Sequence, residues 1–143
     1  MDDTLTGRCL CGDVTLRIRG RPSLPIVCHC RYCQRRLGTA FAEIAYFRDA
    51  AIESLEGPLV DYEHRSDESG RRLTNRFCPR CGTTVLVVAE ALAGLSGVSL
   101  GVLDEPGRVP IRRHAWVRSK RDWVEPPADA TLHDRLPERS PPR

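Results

Sequence analysis

Residues 77–89 read Phe77-Cys78-Pro79-Arg80-Cys81-Gly82-Thr83-Thr84-Val85-Leu86-Val87-Val88-Ala89. Two cysteines bracket a proline, and a glycine follows the second. That is the pattern of a metal knuckle: the turn brings both sulfurs to one ion, and Gly82 supplies the positive φ the turn needs. The competing reading of Cys-x-x-Cys is a thioredoxin-like redox pair, which requires a helix to start at the motif. Here the motif runs into Thr83 to Ala89, rich in β-branched residues and suited to a strand buried on both faces. The stretch therefore predicts a knuckle on a β framework, with another strand before it over Arg72 to Phe77.

A knuckle provides two thiolates, and a tetrahedral structural zinc takes four ligands. Cys9-Leu10-Cys11-Gly12 offers the second pair. On extended backbone, residues i and i+2 face one side, so Cys9 and Cys11 can grip one ion. Together Cys9, Cys11, Cys78 and Cys81 make a closed structural site that staples the start of the domain to its late strands. The other three cysteines lie in Cys28-His29-Cys30-Arg31-Tyr32-Cys33. Cys28 and Cys30 again share a face. Cys33 falls in the first turn of a helix expected over Arg31 to Leu37 and closed by Gly38. Three thiolates with an open fourth position are the usual arrangement of a catalytic zinc. The alternative is a closed site completed by a histidine. Strand alternation turns His29 away from Cys28 and Cys30, while His64, His114 and His133 remain open as a fourth ligand.

Outside the cysteine blocks the chain reads as short strands: Asp13 to Arg19, Pro25 to Cys30, Ala40 to Phe47, Leu59 to Arg65, Gly97 to Leu103 and Arg113 to Val117. Glu90 to Leu95 suggests a helical turn. Many short strands separated by turn signals imply a mainly β domain of packed antiparallel sheets with one short helix. The 143 residues suit one domain, 1–125, and a tail. That tail, 126–143, holds five of the eleven prolines and is expected to be disordered or draped on the surface.

A net charge of +3 is too small to point to a nucleic-acid partner. Met1-Asp2-Asp3-Thr4 carries neither the basic nor the apolar part of a secretory signal. The longest apolar run, Val85 to Ala89, is far short of a membrane span. A cytoplasmic setting without a membrane partner is the expectation. In that reducing setting closely spaced cysteines point to metal, and seven cysteines cannot all pair as disulfides.

Three blocks in this order, GRCLCGDV from Gly7, VCHCRYCQRRLGTAF from Val27 and NRFCPRCGTTV from Asn75, resemble the glutathione-dependent formaldehyde-activating enzyme family, which includes centromere protein V. The closing stretch His114 to Trp123 resembles it too, so the likeness covers about Thr6 to Glu125. The resemblance implies an Mss4-like β-tent with sheets folded around a zinc knuckle, and two zinc ions per chain. It assigns Cys9, Cys11, Cys78 and Cys81 to the structural zinc, and Cys28, Cys30 and Cys33 to the catalytic one. None of the seven positions departs from the family pattern. It further implies a carbon–sulfur lyase that forms or cleaves S-(hydroxymethyl)glutathione, so the partners are a small thiol such as glutathione and an aldehyde.

Arg31, Arg35 and Arg36 on the expected helix, and Arg72 and Arg76 before the knuckle, are candidates to offset thiolate charge or to meet glutathione carboxylates. Each otherwise reads as solvated surface. Trp116 and Trp123 read as packing groups, and His114 as a satisfied structural histidine rather than a proton relay. Tyr32 either lines the open site or packs beneath it. A second function is a non-catalytic zinc module for protein or nucleic-acid partners, with Arg112, Arg113, Arg118, Lys120 and Arg121 on phosphates. Against it, Asp122 and Glu125 follow at once. Methionine sulfoxide reduction, a third reading, ranks last because it needs a nucleophilic cysteine beyond the metal ligands.

Overall fold

In the computed structural model, residues 2–137 are described. In chain order the strands are β1 (Thr4–Arg8), β2 (Thr15–Arg19), β3 (Leu24–Cys28), β4 (Ala42–Arg48), β5 (Ile52–Glu56), β6 (Val60–Arg65), β7 (Arg72–Phe77), β8 (Thr84–Ala89), β9 (Leu95–Ser99), β10 (Arg113–Ala115) and β11 (Thr131–Leu132). Among the described residues the one α-helix is α1 (Arg31–Leu37). The fold is mainly β, as the sequence predicts. Among the described residues no helix is long and apolar enough to cross a membrane.

The chain divides into two units, Met1–Pro25 with Ile44–Pro110, and Ile26–Glu43 with Ile111–Arg143. In the first unit β1, β2 and β5 form an antiparallel sheet. Leu16 and Ile18 of β2 are buried between exposed Thr15, Arg17 and Arg19, the period-two pattern of a strand wetted on one side. On the wet side Arg17 and Arg19 share Glu53, at 3.1 and 2.6 Å. The second sheet runs β4-β9-β8-β7-β6, also antiparallel. β8 lies inside it with Thr84 to Val87 buried, which explains its unbroken apolar run. Gly97 of β9 has no room for a side chain, since a Cβ there would lie 2.7 Å from Ile44 and 2.8 Å from the Tyr46 ring.

In the second unit β3, β10 and β11 run parallel, in the order β11-β10-β3. Helix α1 leaves the end of β3. Cys30 caps its start by accepting the Cys33 N–H on sulfur at 3.3 Å. Gly38 ends it in the left-handed region at φ 66, donating to Gln34 O at 2.8 Å. The helix matches the expected span.

Several elements differ from the sequence reading. The strand expected over Gly97 to Leu103 ends at Ser99, and Leu100–Val102 turn as a 3₁₀ segment. The turn expected over Glu90 to Leu95 is confined to Glu90–Leu92, because Gly94 takes φ 83 and β9 begins at Leu95. Strand β10 stops at Ala115, because Trp116 takes φ 57 and opens a turn over Val117–Ser119. Strands β1, β5 and β11 were not expected. Within the stretch 126–143, Thr131 N–H donates to Arg112 O at 2.7 Å and His133 N–H to His114 O at 2.8 Å. Residues 138–143 of that stretch lie outside the described residues.

Candidate metal centres

The first centre belongs to the first unit and is made by two glycine-closed turns. After β1, Gly12 takes φ 84 and donates to Cys9 O at 3.1 Å. After β7, Gly82 takes φ 76 and donates to Cys78 O at 2.8 Å. The turns bring the sulfurs of Cys9, Cys11, Cys78 and Cys81 within 4.8 Å of one another. Cys9 to Cys11 is 3.6 Å and Cys11 to Cys78 is 3.7 Å. A tetrahedral ion with bonds to sulfur of about 2.3 Å needs sulfurs roughly 3.8 Å apart, whereas a disulfide needs about 2 Å. All seven cysteines are free thiols. The donor set and its spacing thus fit a thiolate-bound cation.

Protein groups already serve these sulfurs. The Val14 N–H donates to Cys9 Sγ at 3.3 Å. Thr83 Oγ1 accepts the Leu10 N–H at 3.1 Å and lies 3.2 Å from Cys81 Sγ, so its own hydrogen is available to that sulfur. The Thr83 hydroxyl, then the backbone N–H groups of Thr83 and Cys11, push the Cys81 thiol down to about 5. One sulfur of this set is therefore a thiolate at neutral pH even without a cation.

The second centre belongs to the second unit. Cys28 ends β3, Cys30 caps α1 and Cys33 lies in its first turn, with all three sulfurs within 4.8 Å of one another. Among the described residues no histidine, aspartate or glutamate brings a donor atom into this set. Cys28 and Cys33 are buried and Cys30 half-buried. Hydrogen bonds from Cys28 and then Cys33 push Cys30 down to about 3, while the neighbouring Cys30 and Cys33 sulfurs push Cys28 well up. One negative charge therefore rests on Cys30, and a divalent cation would release the remaining thiol protons.

The histidines are otherwise engaged. His29 is fully buried, with Nε2 2.8 Å from His114 Nδ1 and its ring stacked on that of His114 at 5.1 Å. Burial, then the His114 and Lys120 charges, push His29 down to about 4; burial lowers His114 as well. Both rings are neutral at pH 7, one donating to the other. His114 is thus a satisfied structural histidine, as expected. His133 lies 3.2 Å from Arg113 Nη1, and His64 sits on β6 of the first unit.

The candidate arginines separate. Arg72 and Arg76 are drawn to Glu90 and Asp61, at 3.7 and 3.0 Å. Arg36 lies over the Tyr32 ring at 5.6 Å. Arg31 hydrogen-bonds Gln34 Oε1. Arg112 and Arg118 of the supposed phosphate stripe face Asp129 and Asp134, at 3.0 and 3.9 Å. Trp116 is half-buried under the Arg135 guanidinium. Trp123, expected to pack, is 66% exposed, because the turn after Lys120 leaves its ring on a cleft wall.

Two residues were missed. Gln34 is buried and donates from Nε2 to His29 O at 2.8 Å and to Ser119 O at 2.9 Å. Its signal was a glutamine three residues after Arg31 on a short helix, directly behind Cys33. Thr83 was visible only as a hydroxyl residue just after the knuckle glycine.

A family model described as glutathione-dependent formaldehyde-activating enzyme matches residues 4–119. No curated protein matches the chain. A crystal structure of a Rhodobacter sphaeroides protein, solved as a structural-genomics target, superposes with a TM-score of 0.55 at 22% identity, covering 69% of this chain and 87% of that one. That likeness is one of fold.

Proposed function

The chain belongs to the glutathione-dependent formaldehyde-activating enzyme family, and from that premise we propose that it is a zinc-dependent carbon–sulfur lyase that forms or cleaves S-(hydroxymethyl)glutathione. The supporting observation is the Cys28, Cys30 and Cys33 set: three converging sulfurs with no fourth protein donor within reach among the described residues. On this reading Cys9, Cys11, Cys78 and Cys81 hold a second, structural zinc, and the enzyme works in the cytoplasm.

Zinc bound by three thiolates supplies a Lewis acid with a free position, able to acidify a thiol or polarise an aldehyde. The protein's own residues prepare that position. Gln34 ties α1 to the Cys28–Cys30 loop through His29 O, which fixes where Cys30 and Cys33 point. The Cys33 N–H on Cys30 Sγ offsets part of the thiolate charge. The neutral His29–His114 pair fills the space beside the loop without competing as a ligand. The binding-module alternative loses ground because Arg112 and Arg118 are already paired with acids.

The test is exchange between formaldehyde plus glutathione and their adduct, followed by NMR with metal-loaded protein. The wild type should accelerate exchange and bind two metal equivalents. Cys33→Ser should bind one and lose the acceleration. A fully metallated wild type without effect would sink the substrate assignment. Two equivalents and full activity in Cys33→Ser would sink the open site.

A further inference from the structure

Helix α1 and the segment after Ser119 border a cleft of about 300 Å³ in the second unit. Arg31, Arg35 and Arg121 line it, with Gln34, Thr39 and Trp123. Among the described residues none of these three guanidinium groups reaches a carboxylate, whereas eight other arginines do. Arg31 and Arg35 are four apart on one helix, where like charges repel. Three cations around one concavity, without counter-charge, are relieved when an anion enters.

Arg31 is also aimed. Both N–H bonds of the Gln34 amide are spent on the His29 and Ser119 carbonyls, so the orientation of that amide is fixed by its partners. Its oxygen must then be the atom that accepts from Arg31 Nη1. This holds one edge of a guanidinium that lines the cleft. Trp123 adds an exposed apolar ring on the wall. Arginine with a flat apolar neighbour suits a small carboxylate-bearing molecule, since guanidinium matches a carboxylate with two parallel bonds.

Resting on the lyase reading above, we infer that Arg31, Arg35 and Arg121 form a carboxylate seat that makes the enzyme select acidic thiols over neutral ones, with Gln34 as the residue that positions Arg31. The seat and the three-cysteine set share α1: Cys30 directly precedes Arg31, and Cys33 directly precedes Gln34. A thiol held by its carboxylate is thereby presented to the open position, which lowers the entropic cost of encounter.

Calorimetry of the metal-loaded protein with S-methylglutathione tests the seat apart from the chemistry, because this probe keeps the carboxylates and lacks a free thiol. The wild type should bind it. Arg31→Ala, Arg35→Ala and Arg121→Ala should each weaken binding about tenfold, the loss expected for one charge-assisted contact. Gln34→Ala should raise KM for glutathione by a several-fold larger factor than KM for 2-mercaptoethanol. A helix merely loosened by the substitution would change both thiols alike, which would overturn the positioning role. No binding by the wild type, or tighter binding of inorganic phosphate than of S-methylglutathione, would overturn the carboxylate seat. Lyase activity with an unaltered glutathione to 2-mercaptoethanol ratio in Arg31→Ala/Arg35→Ala would overturn the seat and spare the lyase. Probe binding that needs the arginines, in a protein without lyase activity, would support the seat and sink the lyase.

Discussion

The two cysteine clusters use the same element in opposite ways. The four-cysteine set joins turns distant in the chain, Cys11 meeting Cys78 across a separation of 67 residues. The three-cysteine set is local, from Cys28 to Cys33. If a metal cross-link is treated as a closed loop, the distant connection restricts the unfolded chain by about 4 kcal/mol and the local one by about 2. Their support differs too. The local set is held by protein contacts that need no ion: the Gly38 cap, Gln34 on His29 O, and His29 on His114. The distant set is tied within each turn by Gly12 on Cys9 O and Gly82 on Cys78 O, but between its two turns chiefly by the Thr83 hydroxyl, set between Leu10 and Cys81, and the exposed Arg80–Asp13 pair. On the proposed reading, one cluster would build its part of the fold through its ion and the other would be built by protein contacts, as a site that exchanges ligands requires.

Removing one sulfur from each cluster separates them most sharply. Cys78 has no exposed surface, and Cys78→Ser should abolish cooperative unfolding of the first unit. Structural zinc contributes on the order of 10 kcal/mol in small domains, comparable to a whole domain's stability. Cys33→Ser should instead melt cooperatively within several degrees of wild type. Circular dichroism melts of both variants check this. Equal destabilisation would erase the distinction.

How far this contrast could be read from the sequence depends on what fixed each part. The pairing of sulfurs followed from turn chemistry: Gly12 and Gly82 mark two turns of the same design, and cysteine spacing does the rest. Helix α1 was legible because Gly38 ends it. Strands β1 and β5 were not, because Gly7 interrupts the first, and no strict alternation of buried and exposed residues marks the second. Strand β11 depends on a partner, β10, distant in the chain. Trp116 escaped because a left-handed tryptophan is set by tertiary bonds, here its N–H to Arg135 O at 3.1 Å. The roles of Gln34 and Thr83 lie in hydrogen bonds to carbonyls and sulfur, which residue spacing does not encode.

A middle-sized effect tests whether the local cluster leans on its imidazole pair. Among the described residues, His114→Leu removes the only hydrogen-bond partner of the His29 ring, since His29 Nδ1 has none. The buried polar ring should then cost about 2 kcal/mol. His29→Leu/His114→Leu replaces both partners with apolar groups, so its cost should fall below the sum of the single variants. Urea unfolding of the three proteins measures this. Strict additivity would mean that the two rings act as separate packing groups and that the local cluster is not braced by their bond.

The smallest effect probes the distant cluster through Thr83. Its hydroxyl ties a backbone donor from one turn to a sulfur of the other, so it acts on how the two turns meet. Thr83→Val keeps the shape of the side chain and removes both bonds, leaving the Leu10 N–H without that acceptor and Cys81 without its donor. The expected cost is about 1 kcal/mol, with faster loss of one metal equivalent to a chelator. Thr83→Ser retains the hydroxyl and should restore the wild-type release rate. The second equivalent, at Cys28, Cys30 and Cys33, should leave at the wild-type rate in both variants, because Thr83 has no part in that set. If Thr83→Val instead sped up both equivalents alike, metal retention at the two clusters would be coupled, and the division of labour between them would have to be abandoned.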